Sequence, residues 1–169
     1  MIHNDSRPRR VLVILGQGGH TAEILRLVDM LAAHGAPFTY QYLITREDNV
    51  SGQRIRIPGA IFWVNRTRYK SYALWQEILR SLLALVQSFF VILAARPHAV
   101  VTSGPAVAVP VALWARLFGA RVIFIECGAR VTRLSLTGRL MKRLAHLFFV
   151  QWPELLDDYP QAIYAGRLV

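Results

Sequence analysis

Residues 11–28 read VLVILGQGGHTAEILRLV, which places an apolar run, a glycine-rich turn and an amphipathic segment in direct succession. This order predicts a buried strand, a tight turn and a helix. Gly16, Gly18 and Gly19 let the backbone turn sharply and approach a ligand closely. The start of the helix offers unpaired N–H groups and a positive dipole end, which suit a phosphate. His20 adds a side chain at the same turn that can carry a proton.

Strands and helices alternate along the remainder of the chain. Strands are expected at residues 11–15, 38–45, 60–64, 99–102, 121–125, 146–150 and 162–164, of which 11–15 and 121–125 are expected to be buried. Helices are expected at residues 22–34, 73–95, 106–118, 136–145 and 153–159, with a mobile polar loop at 46–59. This alternation predicts an α/β protein with a single Rossmann-like, doubly wound parallel sheet. One domain then spans residues 11–169, preceded by a flexible basic N-terminus at residues 1–10.

Three marked sequences each follow a predicted strand, at residues 16–20, 103–105 and 126–130. In doubly wound sheets, ligands bind in the crevice outside the carboxyl ends of the strands. We therefore expect these three segments to converge on one crevice, although they lie far apart in the sequence.

The glycine-rich turn departs from the fingerprint of dinucleotide-binding proteins. Thr21 stands where that fingerprint has its third glycine, and the next acidic candidate, Glu47, lies beyond the expected offset of about 20 residues. A loop that binds a phosphate or a glycosyl substrate is therefore favoured over a nicotinamide or flavin site, while a purely structural turn stays open. No two histidines or cysteines have the spacing of metal ligands, so neither a metal nor a cofactor is predicted.

The composition combines a strong positive charge with a high apolar content. The formal net charge is +10, 18 of the 20 Lys and Arg residues are arginine, and 54% of all residues are hydrophobic. A nucleic acid, an anionic membrane surface and a phosphate-bearing substrate would each attract this charge. The apolar background favours a membrane or a lipid-linked phosphate over nucleic acid. Cys127 is the single cysteine, which excludes an intrachain disulfide and fits a reducing compartment.

Residues 73–95 are the segment that most resembles a membrane span. Polar side chains interrupt it, and a span needs about 20 mainly apolar residues, so we expect a helix that does not cross a membrane. Two alternatives remain: a helix packed in the core, or one whose excess apolar surface contacts lipid or a partner. The apolar face is expected to comprise Leu74, Ile78, Leu82, Leu85, Phe89 and Ile92.

Glu126 ends an apolar strand, where a lone buried charge would be costly. One interpretation is an ion pair with Arg130 or Arg133. The other is a general base, or an acceptor for a sugar hydroxyl, in the crevice. Both can hold together, and Arg130 is also suited to pairing with a diphosphate.

Several short sequences occur here in the order found in one known family. They are Gly18-Gly19-His20-Thr21-Ala22-Glu23-Ile24-Leu25, Ser103-Gly104-Pro105, Glu126-Cys127-Gly128-Ala129-Arg130-Val131 and Gln151-Trp152-Pro153. In these motifs the chain resembles the asparagine-linked glycosylation protein 14 family and its bacterial exopolysaccharide-biosynthesis relatives, from about residue 11 to residue 169. Eukaryotic members carry an N-terminal transmembrane helix that is not found before residue 11 here, so the bacterial branch and peripheral attachment are expected.

The resemblance implies one half of an enzyme. Family members supply the N-terminal, acceptor-binding half of a GT-B glycosyltransferase, and a separate small subunit supplies the half that binds the UDP-sugar. The implied acceptor is a sugar on a polyprenyl diphosphate at the cytoplasmic face of the plasma membrane. The implied reaction is inverting, metal-independent and dependent on the partner subunit. The alternative is a non-catalytic scaffold that recruits a separate catalytic subunit to the membrane.

With this resemblance, specific residues receive expected roles. The predicted catalytic residues are His20 and Glu126. The predicted acceptor- or phosphate-binding residues are Gly16, Gly18, Gly19, Thr21, Ser103, Gly104 and Arg130. The predicted contacts with the partner subunit are Trp152, Gly166, Arg167, Leu168 and Val169.

Overall fold

Seven parallel strands form one sheet in the computed structural model, which describes residues 8–66 and 74–168. The strands are β1 (Arg9–Ile14), β2 (Phe38–Thr45), β3 (Ala60–Val64), β4 (Ala99–Thr102), β5 (Arg121–Ile125), β6 (Leu147–Val150) and β7 (Ile163–Tyr164). Their order in the sheet is β3-β2-β1-β4-β5-β6-β7. Strands β2 and β3 therefore lie on one side of β1, and β4 to β7 lie on the other. The topological switch point lies between β1 and β4, where Rossmann-like sheets bind ligands. The predicted α/β, Rossmann-like fold is confirmed.

Helices cover both faces of this sheet. They are α1 (Gly19–Ala33), α2 (Leu74–Ala95), α3 (Ala108–Leu117), α4 (Leu136–Leu144) and α5 (Leu155–Asp158). One core cluster joins Val11 and Val13 of β1 to Ile24 of α1. The other joins Leu12 and Ile14 of the same strand to residues of α2, α3, α4 and α5. Alternate residues of β1 thus enter different cores, as expected for a parallel strand that is buried on both faces.

Two predicted boundaries at the start of the chain were wrong. Arg9 and Arg10 belong to β1 rather than to a flexible N-terminus, because Arg10 donates through its backbone N–H to His98 Nδ1 and through Nε to the Arg96 carbonyl. Residues 1–7 lie outside the described part of the chain. Helix α1 begins at Gly19, three residues before the predicted start, so His20 lies in its first turn.

The polar loop expected to be mobile at residues 46–59 is partly buried. Asp48 is 4% exposed and Ser51 is 2% exposed. Asp48 Oδ1 accepts the Ser51 N–H at 2.9 Å, and Asp48 Oδ2 accepts the Ser51 hydroxyl at 2.5 Å. The Asp48 carboxylate thus accepts the hydrogen bonds that water would otherwise accept at the start of a short 3-10 turn, Ser51–Arg54.

Helix α2 packs through a face that overlaps only in part with the predicted one, in which Leu85 and Phe89 are partly buried. Its buried face consists of Ala84, Ser88, Val91, Ile92 and Ala95, whereas Ile78 and Leu82 of the expected face are more than half exposed. Ile92 is the member of the expected face that is fully buried, and the side chain of Leu74 lies outside the described part. The contact with α3 includes an aromatic pair, because the Phe89 ring lies 5.0 Å from the Trp114 ring.

Contrary to expectation, the polar residues of α2 do not make it too polar to cross a membrane. Trp75–Ala95 has a mean hydropathy of 2.1 and is long and apolar enough for a span by length and composition. Only 28% of the most apolar window is buried inside the domain. Of the two alternatives, the structure therefore favours a helix with excess apolar surface over one enclosed by the core.

Substitutions at Ser88 test this packing. The Ser88 hydroxyl is buried and has no hydrogen-bond partner among the described residues, so Ser88→Ala should raise the free energy of unfolding by about 0.5–1 kcal/mol. Ser88→Leu should lower it by about 1–3 kcal/mol because the larger side chain overpacks the contact. Urea unfolding measures both values, and Ser81→Leu at an exposed position of the same helix is the control. An equal free energy of unfolding for Ser88→Leu and Ser81→Leu would contradict the conclusion that Ser88 lies on the buried face of α2.

Candidate functional site

The loops after β1 and β4 meet at the carboxyl edge of the sheet, as their positions after neighbouring strands predict. The Ser103 hydroxyl donates to the His20 carbonyl oxygen at 2.9 Å. A Cβ added at Gly16 would lie 3.0 Å from His20 Cβ and 3.1 Å from Pro105 Cβ, so the two loops touch where Gly16 has no side chain. We call residues 16–20 the glycine loop.

Gly104 needs to be glycine for two physical reasons. Its φ of +109° lies in a region that other residues adopt only with strain. A Cβ there would also lie 3.2 Å from Cε1 and 3.5 Å from Nδ1 of the His20 ring. The backbone of the second loop therefore forms one wall for the imidazole.

The exposed rim of the glycine loop is the part that can bind an anion. Gly18 and Gly19 are exposed, and Gly18 precedes α1 with a φ of +67° and no side-chain cap. The first amides of a helix have no acceptor within the helix, so they present N–H groups and a positive dipole end at this rim.

Gly16, Thr21 and Ser103 were predicted to contact the acceptor, but the structure buries all three. The Gly16 carbonyl accepts the Thr21 hydroxyl and, at 3.1 Å, the hydroxyl of Ser51. The side chains of Thr21 and Ser51 therefore stabilise the conformation of the glycine loop from its buried side and do not face a ligand. Ser51 was not identified from the sequence, where the only signal was a serine in a polar loop.

A pocket of about 770 Å³ opens beside these loops. The loops contribute His20, Gly104 and Arg130 to its lining. Helices α2, α3 and α4 contribute apolar walls, which include Ile78, Leu82, Leu85, Leu113, Leu136 and Leu140. Glu77 of α2 also belongs to the lining. The pocket therefore combines a polar part, which carries both signs of charge, with a large apolar part, a pairing that suits a polar group joined to an apolar tail.

Glu126 occupies a different place from the one expected of a catalytic base. It is 0% exposed, and both carboxylate oxygens are bonded internally. Oε1 accepts the Cys127 N–H at 3.0 Å, and Oε2 accepts the N–H and the hydroxyl of Ser135 at 3.0 and 3.1 Å. Among the described residues it forms no ion pair with Arg130 or Arg133. Because Ser135 caps α4, the carboxylate is stabilised by the start of that helix and serves to anchor it.

Glu23 is a candidate site residue that the sequence interpretation did not select. It is 4% exposed, lies one turn after His20 on α1, and accepts the Gly128 N–H at 3.0 Å and the Cys127 thiol at 3.5 Å through Oε1. One side-chain donor or acceptor atom from each of His20, Glu23 and Cys127 lies within 4.8 Å of the others. The spacing of three residues in a helix start was the available signal. Within the described ranges this is the set that can hold a metal ion.

The thiol of Cys127 remains protonated in this environment. Burial raises the pKa of the Cys127 thiol, the Ala129 backbone opposes this effect, and the Glu23 carboxylate raises the pKa further. A protonated thiol is a hydrogen-bond donor and a poor nucleophile.

The residues predicted to contact a partner form part of this domain's own edge. The Arg167 guanidinium lies 3.8 Å from the centre of the Trp152 ring, and the Trp152 indole N–H donates to the Gly128 carbonyl at 2.6 Å. The Leu168 N–H donates to Gln151 Oε1 at 2.7 Å. Gly166 and Arg167 are exposed, and Val169 lies outside the described part. Their contact with a partner stays a prediction.

Substitution of Glu126 tests its anchoring role. Glu126→Gln should lower the free energy of unfolding by about 2 kcal/mol, because it weakens charge-assisted hydrogen bonds from three partly buried donors. Gly138→Ala should act in the same direction, since its Cβ would collide with the same carboxylate. Denaturant unfolding measures the loss, with Glu154→Gln at an exposed position as the control. An unchanged stability of Glu126→Gln would show that the carboxylate anchors nothing.

Comparison with known proteins agrees with this architecture. The family model for "Oligosaccharide biosynthesis protein Alg14 like" matches residues 11–168. The chain is 33% identical over 182 residues to the UDP-N-acetylglucosamine transferase subunit ALG14 of Mus musculus, covering 95% of this chain and 83% of that relative. The same subunit of Eremothecium gossypii is 35% identical over 185 residues, covering 96% of this chain and 81% of that relative.

Solved structures with a similar fold are larger proteins. Acinetobacter baumannii MurG superposes with a TM-score of 0.70 at 20% identity, covering 87% of this chain and 43% of MurG. UDP-GlcNAc 2-epimerase from Neisseria meningitidis superposes with a TM-score of 0.69 at 18% identity, covering 94% of this chain and 47% of the epimerase. The chain thus spans less than half of each, and the likeness concerns the fold. The family match and the curated relatives show that this chain belongs to the Alg14 family.

Proposed function

We propose that this chain is the membrane-associated, acceptor-binding subunit of a two-component glycosyltransferase. It would bind a polyprenyl-diphosphate-linked sugar, and its partner would bind the UDP-sugar donor. The observation that carries the proposal is the pocket in which His20, Gly104 and Arg130 meet apolar walls from three helices. A polyprenyl diphosphate has the same combination, with a dianionic group joined to an apolar chain.

Two sources of positive potential are proposed for the diphosphate. The exposed Gly18 and Gly19 stand at the start of α1, next to His20, and the exposed Arg130 lines the pocket. Amides at a helix start and an arginine are both well suited to phosphate oxygens. This binding mode needs no metal ion in the acceptor half.

His20 is the residue proposed to remove the proton from the acceptor hydroxyl. Its Nδ1 is buried, so Nε2 is the nitrogen available to a ligand in the pocket. As the hydroxyl oxygen forms a bond to the anomeric carbon of the donor, its proton passes to Nε2. The bond from that carbon to the UDP oxygen breaks, and UDP leaves with the electron pair on the opposite face, which inverts the configuration.

The donor half of this site is proposed to come from a second protein. The curated relatives are named as subunits, and the chain spans 43% of MurG. Trp152 and the residues around Arg167 lie at the β6–β7 end of the sheet and remain the proposed contact with that partner.

Membrane association is proposed to use α2 and α4. Outside the pocket, α2 exposes Trp75, Leu79, Val86 and Phe90, each by more than half. It is held on the domain surface because the Trp114 indole N–H of α3 donates to the Leu85 carbonyl at 2.8 Å. Such a helix suits a position in the plane of the cytoplasmic membrane surface, and Lys142 and Arg143 of α4 add cations for anionic lipid.

A scaffold without catalytic residues is the alternative function. The complete burial of Glu126 favours it, because one of the two predicted catalytic residues cannot contact a ligand in this structure. Under this alternative the chain would position the acceptor and membrane, and the partner would supply the base.

Activity of the complex separates the two functions. The chain co-expressed with its UDP-sugar-binding partner should transfer N-acetylglucosamine from UDP-N-acetylglucosamine to a polyprenyl-diphosphate-linked sugar. His20→Ala should lower kcat by about 10²–10⁴-fold through loss of the general base. His34→Ala, at the exposed end of the same helix, is the control and should retain full activity. Full activity of the His20 variant would support the scaffold, and no transfer by the intact complex would contradict the enzyme.

Flotation with phosphatidylglycerol-containing vesicles tests membrane association. The double substitution Leu79→Gln with Val86→Gln removes two exposed apolar side chains that lie outside the pocket. Vesicle binding should fall roughly tenfold or more, given the transfer free energy of two such side chains. Val50→Gln, at a position that is 55% exposed on the other side of β1, should bind as the unaltered chain does. Equal flotation of both variants would exclude α2 as the membrane surface.

A further inference from the structure

Two buried polar atoms in the site have no hydrogen-bond partner among the described residues. They are Nδ1 of His20 and Oε2 of Glu23. The two residues are three apart in the first turns of α1, and a side-chain polar atom of each lies within 4.8 Å of the other. An unpaired buried carboxylate oxygen is costly, so its persistence beside an unpaired imidazole nitrogen calls for a common explanation.

The surroundings leave Glu23 Oε2 available to one donor. Oε1 is already bonded by the Gly128 N–H at 3.0 Å and by the Cys127 thiol at 3.5 Å. These bonds hold the carboxylate in place while Oε2 stays free. The terminal torsion of histidine is broad, so the His20 ring can turn Nδ1 towards Oε2 while the Glu23 carboxylate keeps its bonds.

We propose that Glu23 is the positioning residue for His20, with Oε2 accepting the Nδ1–H of the imidazole. This bond keeps the neutral ring in the tautomer whose Nε2 carries the lone pair. The inference rests on the proposed function in assigning proton removal to His20. When Nε2 gains the proton of the acceptor hydroxyl, the Glu23 carboxylate stabilises the imidazolium and itself stays ionised, as in other carboxylate–histidine pairs.

The same carboxylate links the base to the predicted partner edge. Gly128 donates its N–H to Glu23 and accepts the Trp152 indole N–H at 2.6 Å through its carbonyl. The position of Glu23, and through it that of His20, therefore depends on the segment against which Trp152 packs.

A metal ion held by His20, Glu23 and Cys127 is the competing occupant of this cluster. A metal requires the thiolate form of cysteine, whereas burial raises the pKa of the Cys127 thiol. The thiol also donates to Glu23, so the cluster already works as a hydrogen-bonded set. We therefore infer that a shared hydrogen bond, and not a metal ion, links His20 Nδ1 and Glu23 Oε2.

The tautomer of His20 is the direct test and needs no activity. Long-range ¹H–¹⁵N correlation spectra of the full chain, labelled at its five histidines, distinguish Nδ1–H from Nε2–H. The unaltered chain should show Nδ1–H at His20. In Glu23→Gln the side-chain oxygen should keep the bond from Gly128, so that the amide NH₂ donates to Nδ1 and His20 becomes the Nε2–H tautomer. An Nε2–H tautomer in the unaltered chain would overturn the proposal without any variant having to fold.

Kinetics of the complex with its partner give the second readout. Glu23→Gln should lower kcat by about 10²–10⁴-fold with little change in KM for the acceptor, since the ring stays in place with the wrong tautomer. The matched control is Asp29→Asn on the same helix, because the Asp29 carboxylate pairs with Arg56 at 3.4 Å and lies outside the proposed pair. This variant should leave kcat and KM unchanged. A change confined to KM would overturn the positioning role.

Two further outcomes keep the inference distinct from the proposed function. If the intact complex transfers no sugar, the proposed function fails while the tautomer measurement still decides the pairing. Zinc titration of the full chain covers the metal alternative, and stoichiometric Zn²⁺ binding that Glu23→Gln abolishes would overturn the proton assignment.

Discussion

The buried carboxylate of Glu126 is the interaction on which the arrangement of the site depends. A charge with no exposed surface is tolerated only with bonded donors, and the Cys127 N–H and both donors of Ser135 supply them. The Gln151 side chain bonds the carbonyl of the same residue at 3.0 Å. One residue at the end of β5 thus holds the start of α4, which is a wall of the pocket, and the segment after β6 that leads to the C-terminal edge.

The opposite wall of the site depends on a backbone carbonyl. Gly16 accepts hydroxyl groups from Thr21 and Ser51, and Ser51 is held in turn by Asp48. This buried support holds the glycine loop so that His20 and the first amides of α1 lie at its rim, beside the exposed Gln17. Rigid polar loops on one side and apolar helices on the other give the pocket its two-part chemistry.

The sequence predicted the doubly wound sheet and the convergence of the loops more successfully than it predicted the surroundings of Glu126 and Thr21 and the buried face of α2. Glu126 and Thr21 were read as ligand contacts because they are polar and follow strands. Burial reversed that interpretation, and burial depends on which helices cover the loop. In α2, Leu82 is more apolar than Ser88 but is more than half exposed, because the direction in which a side chain leaves the helix decides whether it faces the core.

By itself the sequence determined the α/β alternation, the glycine turn at the end of β1, the positive charge and the family motifs, because these depend on local periodicity and on residue type. Only the tertiary structure decided that Glu126 anchors a helix, that Gly128 holds the Glu23 carboxylate, and that α2 leaves an apolar surface outside the core. The physical reason is that hydrogen-bond partners and burial arise between segments far apart in the chain: the Gly128 N–H that holds Glu23 is 105 residues away from it.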